Sequence, residues 1–388
     1  MTRLRVAQIT TRLNVGGIAH QVLGVCAGLD PDRFECTLVT GRPGQWEGEM
    51  LDYVERRPGR LHVIPELGRD VFLRDLPAFV KLVRLLRRLR PDVVHTHAAK
   101  AGALGRLAAW VARVPVRVHS YHGHVFRGYF HPLVETLIVR IERWLGRITS
   151  LVLLPSESQR DEIVDAFKIV PAAKTQVVRY GISVEEAATL PEREPVRRRF
   201  GLEAPLVVGM LGRMAPIKNH ALTLEAFTRL RRQPDPPDVQ LLLAGEGETR
   251  ADLEDHVGRG HLEDRVKFVG FQRDLRDVYA ALDILVISSK NEGVPIAALE
   301  AMASGVPLVV TAVGGLVDLI RDGENGWLTP PDDPDHLAQV LRQVLTSPDD
   351  RRRVSETARR DVESRYRAEQ IHRELERLYT EALGRVGR

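Results

Sequence analysis

The sequence is poor in the residues that mark secreted, membrane-spanning and nucleic-acid-binding proteins. Only two of its 388 residues are cysteine, Cys26 and Cys36, which cannot build a disulfide framework and so indicate a reducing compartment. No run of 18 apolar residues occurs and the N-terminus has no apolar signal core, so we expect neither a spanning helix nor secretion. Basic runs interleaved with stacking aromatics are missing, which argues against nucleic acid as a partner. We therefore expect a cytoplasmic protein, with peripheral contact to the inner face of the cell membrane left open.

Lysine is also scarce, since it supplies only seven of the 56 basic residues. The positive charge is thus almost entirely arginine, with a net charge of +4 and an isoelectric point near 9.2. Guanidinium groups pair well with phosphate, so this bias favours phosphate-bearing ligands or an anionic surface. The remaining composition, 44% apolar and 28% charged, is typical of a globular protein long enough for two domains.

Strands and helices alternate along the sequence, which predicts an α/β fold with parallel sheets. In the first half, strands are predicted at residues 5–10, 34–40, 61–65, 92–97, 114–122 and 150–156, and helices at 18–29, 76–89 and 101–111. Residues 181–195 lack periodicity and form the expected linker. We therefore predict two Rossmann-like domains, residues 1–185 and 186–365. The last two segments, 336–345 and 352–383, are predicted to be helical with few breaks.

The stretch ISSKNEGVPIAALEAMASGVPLVVTAVGG, residues 287–315, combines two glutamates with a short apolar helix. Pro295 suits the first helical position, and the helix is apolar all round, which predicts burial. Glu300 lies on this helix with no cation one turn away, so either a distant Arg or Lys or a polar ligand must satisfy it. Glu292 lies in the loop at the carboxyl end of strand 282–288, where open parallel sheets bind ligands. The two carboxylates can hold different parts of one hydroxyl-rich ligand.

A second loop, GRMAPIKNH, lies between a strand predicted at 205–211 and a helix predicted at 221–232. Arg213 and Lys218 should converge there with the helix N-terminus on one anion site, and two such cations suit a diphosphate. Glycine turns follow two other strands, at Gly16 and Gly17 and at Gly245. Such turns let backbone N–H groups approach an anion, although many α/β proteins use them only for packing.

The pattern E-G-x-P-x-x-x-L-E-A-M-A-x-G-x-P, followed by T-x-V-G-G, resembles the signature of the retaining glycosyltransferases of family 4 (glycosyl transferases group 1) that share the two-domain GT-B fold. The pattern G-R-x-x-x-x-K is similar to that family's pyrophosphate clamp. The resemblance implies that Glu300 binds the ribose of a nucleotide-sugar and that Glu292 faces the sugar. It implies donor contacts from Gly16, Gly17, Arg213, Lys218, Gly245, Glu292, Gly293, Val294, Pro295 and Glu300. It further implies that the two domains are doubly wound and face a cleft, and that the final helix, residues 366–388, rejoins the first domain.

The activity implied is transfer of a sugar from a nucleotide diphosphate donor, expected to be a UDP-sugar, with retention at the anomeric carbon. Arg213 and Lys218 would neutralise the leaving diphosphate, so no metal or other cofactor is expected. The acceptor is expected to be a saccharide, with a lipid-linked one of cell-surface polysaccharide synthesis suggested by analogy. A nucleotide-sugar epimerase of the same architecture remains an alternative, although it would need acid–base carboxylates in the cleft.

Histidines are concentrated in one part of the first domain, at His95, His97, His119, His122, His124 and His131. Their spacing leaves open a metal site, and with it a hydrolase centred on His95, His97 and His122. The resemblance instead places His122, in preference to His124, beside the reacting sugar as a catalytic contact. There a side-chain or main-chain donor stabilises developing charge. A capping or core role for these histidines is the third interpretation.

Two segments are candidates for contact with a membrane or acceptor. The helix at 76–89 carries a run of cations, which form either a solvated face or a basic face on anionic lipid. The aromatic loop 125–132 and the amphipathic segment 133–145 follow later in the domain. We hypothesise that this loop, through Phe126, Tyr129 and Phe130, forms a membrane-facing surface together with the segment, which carries Arg140, Glu142 and Arg143.

Overall fold

The computed structural model describes residues 3–13, 16–42, 60–68, 75–123, 126 and 131–386. The chain divides into two compact units. Unit 1 comprises Met1–Gly181 and Ala368–Arg388, and unit 2 comprises Ile182–Arg367. The sequence predictions for His124, Tyr129 and Phe130 lie outside the described residues.

Unit 1 is built on a seven-stranded sheet with the order β3-β2-β1-β4-β5-β6-β7. Every pairing in this sheet is parallel, and most strand residues are buried, as expected of a parallel sheet covered on both faces. The strands are β1 (Leu4–Arg12), β2 (Phe34–Gly41), β3 (Arg60–Val63), β4 (Val93–His97), β5 (Val116–Ser120), β6 (Leu151–Leu154) and β7 (Thr175–Val177).

Helices pack on both faces of this sheet. They are α1 (Gly17–Gly28), α2 (Asp75–Leu89), α3 (Ala99–Val111), α4 (Pro132–Ile148), α5 (Glu157–Asp161) and, from the end of the chain, α15 (Ala368–Val386). Successive strand residues point to opposite faces. Val6 therefore packs in one core with Val25 of α1 and Leu375 of α15. Its neighbour Ala7 packs in another core with Leu82 of α2. This is the doubly wound arrangement that the sequence predicts.

Unit 2 has a six-stranded parallel sheet with the order β10-β9-β8-β11-β12-β13. Its strands are β8 (Leu206–Leu211), β9 (Val239–Ala244), β10 (Val266–Gly270), β11 (Ile284–Ile287), β12 (Leu308–Thr311) and β13 (Trp327–Thr329). Its helices are α6 (Val184–Ala188), α7 (Arg193–Arg199), α8 (His220–Arg232), α9 (Arg250–Gly260), α10 (Leu275–Ala281), α11 (Ile296–Ala303), α12 (Leu316–Leu319), α13 (Pro334–Thr346) and α14 (Pro348–Arg365). Because all strands are parallel, the loops that follow β8, β9, β11 and β12 meet at one edge of the sheet.

The segment 352–383, predicted to be helical with few breaks, contains one break. Two helices, α14 and α15, are separated by Tyr366 and Arg367. Tyr366 is buried, and its carbonyl accepts a hydrogen bond from the Ile182 N–H at 2.9 Å. Since neither Tyr nor Arg breaks a helix by itself, only this tertiary contact marks the break. The helix α14 belongs to unit 2 and α15 to unit 1.

The predicted linker also contains regular structure, because α6 lies within residues 181–195 and α7 begins there. The Ser304 hydroxyl donates to the Ala187 carbonyl at 2.8 Å, which fastens α6 to unit 2. Over the described part of the chain, no helix is both long and apolar enough to cross a lipid bilayer.

Candidate active site

The helix α11 is buried, as its composition predicts. Ala298, Leu299 and Met302 are fully buried. Pro295 lies one position earlier than expected, because it is the residue that precedes the helix, with an extended backbone (φ −67°, ψ 129°). Its carbonyl accepts the first helical hydrogen bond from the Ala298 N–H at 3.0 Å. Proline fits this position because its φ angle is fixed and no N–H is required there.

Glu300 is satisfied by a tyrosine rather than by a cation. The Tyr279 hydroxyl, from α10, donates to Oε2 of Glu300 at 2.8 Å. Among the described residues, no Arg or Lys pairs with this carboxyl. Burial raises the pKa of Glu300 to about 7, although the bond from Tyr279 acts to lower it. No described residue is hydrogen-bonded to the second oxygen, Oε1, and its contact with a polar ligand stays a prediction.

Glu300 should lower the stability of unit 2 as pH rises from 4.5 to 7, against the opposing effect of His220, whose pKa is lowered to about 4 by burial and whose neutralisation favours folding as pH rises. A raised pKa means that the folded chain binds more protons than the unfolded chain in this window, so ionisation opposes folding. The full effect amounts to about 3 kcal/mol at most. Hydrogen exchange of unit 2 amides, measured at several pH values, should give a free energy of opening that falls more steeply with pH, or rises less steeply, in wild type than in Glu300→Gln. The exposed Glu203→Gln is the matched control and should keep the slope; an unchanged slope in Glu300→Gln would contradict the assignment.

Glu292 and Lys218 form an ion pair across unit 2, although 74 residues separate them in sequence. The Ser289 hydroxyl donates to the same carboxylate oxygen, Oε1, at 2.6 Å. Only about 10% of the Glu292 side chain is exposed, against 32% for Lys218. The predicted meeting of Lys218 with Arg213 on one anion is therefore incomplete, because the ammonium group is already committed to a carboxylate.

Arg213 is the uncommitted cation of the same loop. It is exposed, and among the described residues nothing forms a hydrogen bond or ion pair with its guanidinium. The loop itself is held by backbone bonds to the loop after β9, where the Met214 N–H donates to the Glu246 carbonyl at 2.9 Å. Gly245 makes this approach feasible, because a Cβ at this position would lie 2.0 Å from the Gly212 carbonyl oxygen. The predicted glycine turn thus has a packing reason.

Gly314 and Gly315, which follow β12, pack closely against the loop that carries Glu292. Gly314 has φ +50°, and a Cβ there would lie 1.9 Å from the Glu292 carbonyl oxygen. A Cβ on Gly315 would lie 2.6 Å from the Gly293 carbonyl oxygen, and the Gly315 N–H donates to the Glu292 carbonyl at 3.1 Å. Any side chain would therefore push the two loops apart.

His220, the first residue of α8, lies two residues after Lys218 and was not singled out from the sequence. Its ring is buried, and neither ring nitrogen has a hydrogen-bond partner. Burial, with the nearby Lys218 charge, lowers the pKa of His220 to about 4, so the imidazole is neutral near pH 7. We refer to Arg213, Lys218, Glu292 and Glu300 together as the unit 2 site. Val294 is buried beside it, as is Gly293.

In unit 1, three histidines belong to one chain of hydrogen bonds. His122 Nδ1 lies 2.8 Å from the Tyr180 hydroxyl, and its Nε2 lies 2.9 Å from His97 Nδ1. His97 Nε2 lies 2.7 Å from the amide oxygen of Gln8. The chain continues through the Gln8 amide nitrogen to the Tyr379 hydroxyl at 3.1 Å, then to His95 Nδ1 at 2.6 Å. It ends at Ser120, 2.7 Å from His95 Nε2.

The Gln8 amide sets the direction of every bond in this chain. Its carbonyl oxygen can only accept, so His97 Nε2 carries the proton. Burial lowers the pKa of His97 well below its usual value, so this ring is neutral and its Nδ1 accepts from His122 Nε2–H. Burial also lowers the pKa of His122 to about 4, so its Nδ1 accepts from the Tyr180 hydroxyl. Gln8 of β1 therefore fixes the tautomer of His122, acting through His97.

This chain leaves no ring nitrogen of His95, His97 or His122 for a metal ion. Across the described residues, no group of three or more His, Cys, Asp or Glu side chains is arranged to hold one. The arrangement of these rings therefore gives the metal hydrolase interpretation no support. Both ring nitrogens of His122 are engaged in these hydrogen bonds. A contact between His122 and a sugar would therefore use the main chain of His122, unless Tyr180 releases Nδ1.

Gly16 and Gly17 are located where the sequence placed them, at the N-terminus of α1. Gly16 precedes the helix with an extended backbone (φ 165°), and its carbonyl accepts from the His20 N–H at 3.2 Å. Their contact with a donor remains a prediction, as do the sugar contact of His122 and the ligand contacts of the unit 2 site.

A buried ion pair corrects the interpretation of the segment 133–145. Glu142 turns inward and binds Arg106 of α3 through both carboxylate oxygens, each at 2.8 Å. The Tyr121 hydroxyl donates to Oε2 of Glu142 at 2.6 Å, and Arg106 Nε donates to the Gly102 carbonyl at 2.8 Å. Both charged side chains are buried, so Glu142 is structural and contributes nothing to an outer surface.

Phe126 is also a core residue, which corrects the proposed role of the aromatic loop. It is buried in a cluster with Tyr121 and Ile163, and its ring packs edge-on against Phe167 with centroids 5.1 Å apart. Of the three aromatic residues assigned to a membrane surface, Phe126 therefore does not reach one. Tyr129 and Phe130 lie outside the described residues.

Comparisons with known proteins agree with this architecture. Residues 192–361 match the family model described as glycosyl transferases group 1, and residues 15–186 match the glycosyltransferase family 4 model. One curated relative is the UDP-Gal:alpha-D-GlcNAc-diphosphoundecaprenol alpha-1,3-galactosyltransferase of Escherichia coli, 27% identical over 348 residues, or 88% of each chain. Another is the 2-deoxystreptamine glucosyltransferase of Streptomyces kanamyceticus, 31% identical over 70% of this chain and 72% of its own.

A solved structure supports the fold. The Anabaena protein HepE, crystallised in complex with UDP-glucose, superposes with a TM-score of 0.83 over 98% of this chain and 100% of its own, at 22% identity. Two doubly wound parallel-sheet units together with these matches define a glycosyltransferase of the GT-B class. Within that class, the chain belongs to the glycosyl transferases group 1, which are the family 4 glycosyltransferases.

Proposed function

We propose that the chain transfers a sugar from a UDP-sugar to a saccharide acceptor carried on a lipid diphosphate, with retention at the anomeric carbon. The observation that carries the proposal is the unit 2 site, where a free guanidinium (Arg213) and a paired ammonium (Lys218) accompany two carboxylates. The Escherichia coli relative is named for a UDP-galactose donor and a diphosphoundecaprenol-linked acceptor, and HepE was crystallised with UDP-glucose. These names support the donor and acceptor classes proposed here.

The proposed role of Arg213 and Lys218 is to neutralise the diphosphate as it leaves. The charges of Arg213, Lys218 and Glu292 sum to +1, and Glu300, with a pKa of about 7, is only partly ionised near neutral pH, so the site attracts an anion before any ligand is bound. A diphosphate beside Lys218 would share the ammonium with Glu292, and the N-terminus of α8 adds its partial positive charge. Neutralising the leaving group is the largest electrostatic contribution to such a transfer. We propose that these cations suffice without a metal ion.

The carboxylates have separate proposed roles. When a diphosphate draws Lys218 away, Glu292 can accept hydrogen bonds from sugar hydroxyls, because Ser289 holds its side chain in place. Glu300 offers Oε1 to ribose hydroxyls while Tyr279 holds Oε2. The Ser289 and Tyr279 hydroxyls thus hold the Glu292 and Glu300 carboxylates in position before the ligand binds, which reduces the entropy lost on binding. His122 is assigned to the sugar by the family resemblance, with its orientation set by Tyr180 and His97.

Calorimetric titration with UDP, GDP and ADP in the presence of EDTA tests the donor assignment. We expect UDP to bind and the other two to bind at least about tenfold more weakly, a difference of about 1.4 kcal/mol. Binding that appears only when a divalent cation is added would contradict the metal-free proposal. Equal binding of all three nucleotides would contradict the choice of uridine while leaving the diphosphate site intact.

A further inference from the structure

The outward face of α4 is unusually apolar for a soluble surface. Leu133, Leu137, Ile141 and Trp144 are all exposed, with Leu133 75% and Leu137 57% accessible. These positions are spaced three or four residues apart, so they form one continuous row along the helix. Single exposed apolar residues are common, but a contiguous row of large ones marks an interaction surface.

Trp110 extends this row onto the neighbouring helix α3. It is exposed, and its ring meets that of Trp144 edge-on, with centroids 6.4 Å apart and planes at 81°. We name the set Leu133, Leu137, Ile141, Trp144 and Trp110 the apolar face. Tryptophan is the residue most typical of the boundary between hydrocarbon and lipid headgroups, because its ring is apolar and its N–H is polar.

The border of the apolar face is basic. Arg140, Arg143 and Arg147 are exposed and lie along one flank of α4, each three or four residues from the next. Neither carboxylate of α4 faces outward among them. Glu142 is buried against Arg106, and Glu135 lies two residues from Leu133 and Leu137, on the other side of the helix.

We infer that the apolar face is a docking surface for an anionic lipid bilayer, on which α4 lies parallel to the membrane plane. The leucine and isoleucine side chains would enter the boundary between headgroups and acyl chains, and the arginines would pair with lipid phosphates. The arginine flank is complementary in charge to lipid phosphates, and both carboxylates of α4 lie away from it, which favours an anionic bilayer as the occupant. The inference concerns this surface and not the sugar transfer, so either can fail without the other.

The test is co-sedimentation of the full chain with vesicles of phosphatidylcholine and phosphatidylglycerol in equal parts, without nucleotide. We expect binding to these vesicles and much weaker binding to pure phosphatidylcholine. The double change Leu137→Ser and Ile141→Ser should lower the partition coefficient about tenfold or more, because apolar area is no longer buried. Arg140→Gln with Arg147→Gln should lower it about fivefold per charge, and added salt should act in the same direction.

Control variants distinguish binding through the apolar face from nonspecific binding to vesicles. Val386→Ser removes an equally exposed apolar residue from another helix and should leave binding unchanged. Arg231→Gln with Arg232→Gln removes two cations of unit 2 and should also have no effect. Brominated lipid should quench tryptophan fluorescence in wild type and not in Trp110→Phe with Trp144→Phe.

Vesicle binding that survives the Leu137→Ser and Ile141→Ser changes would overturn the inference. So would a concentration-dependent dimer in sedimentation velocity that Leu137→Ser dissociates, because a second copy of the chain would then cover the face. Hydrogen exchange of unit 1 amides outside α4, measured on the same variants, should equal that of wild type, which shows that unit 1 is folded.

Discussion

Replacing Lys218 with alanine is expected to lower the rate of sugar transfer by about 10²–10³-fold, the usual cost of removing one group that stabilises charge in a transition state. The loss should appear in kcat more than in KM, because leaving-group charge develops only as the bond to the sugar breaks. Release of UDP from UDP-glucose or UDP-galactose, in the presence of a lipid-linked acceptor, measures the effect.

The matched control for this change is Lys267→Ala, which removes a lysine from β10 of the same unit. It should leave transfer unchanged, because Lys267 is bound to the Glu263 carbonyl and not to a carboxylate of the unit 2 site. Lys218→Ala also leaves Glu292 without its cation, so Lys218→Ala with Glu292→Gln distinguishes the two effects. If transfer returns in the double variant, the diphosphate role of Lys218 is wrong and the lysine only compensates the glutamate.

Replacing Glu142 with glutamine is expected to destabilise unit 1 by about 3–5 kcal/mol, because it leaves the Arg106 charge buried without a counter-ion. Arg106 is fully buried, and its pKa is raised by Glu142 and Tyr121 against the opposing effect of burial. Because arginine keeps its proton even in buried sites, the guanidinium stays charged when the carboxylate is lost. Hydrogen exchange of the α3 and α4 amides, read peptide by peptide, reports on unit 1 without interference from unit 2.

Arg140→Gln is the control for this stability effect, since Arg140 is an exposed residue on the same helix. It should change the free energy of opening by less than about 0.5 kcal/mol, as surface substitutions usually do. Equal protection in Glu142→Gln and wild type would contradict the account and mean that the Arg106 charge is compensated by another group.

The loops of the unit 2 site were predictable from sequence because each motif lies between a strand and a helix of a recognisable repeat. Arg213 and Glu292 are found after β8 and β11, as the pattern requires. The residues that pair with Lys218 and Glu300 could not be predicted. Lys218 pairs with a glutamate 74 residues away, and Glu300 is held by Tyr279 of the preceding helix. Such pairs depend on how two loops meet in space, and no spacing in the sequence records that.

The histidine cluster shows the same limit in unit 1. The sequence placed His97 and His122 near the ends of adjacent strands, which is correct. It could not show that Gln8 and Tyr379, from opposite ends of the chain, join them and decide their protonation. A buried glutamine in a strand that is otherwise largely apolar was the one signal, because a buried amide needs partners.

The amphipathic segment was predicted to contribute to a surface, but the prediction did not say which side of the helix faces outward. The structure turns Glu142 inward and leaves a row of apolar residues outside. Periodicity alone marks two faces of a helix and does not say which one is buried. The buried Arg106 of α3 determines which side of α4 faces inward, because it pairs with Glu142.

The central claim is that Arg213 and Lys218 hold the diphosphate of a uridine nucleotide without a metal ion. The most direct measurement extends the calorimetric titration with UDP in EDTA to the Arg213→Ala, Lys218→Ala double variant. Wild type should bind UDP, and the double variant, folded by circular dichroism, should bind about 100-fold more weakly or not at all, since hydrogen bonds to charged groups contribute about 1.5–3 kcal/mol each. Equal affinity in the two proteins would contradict the account, because the diphosphate would then be bound elsewhere.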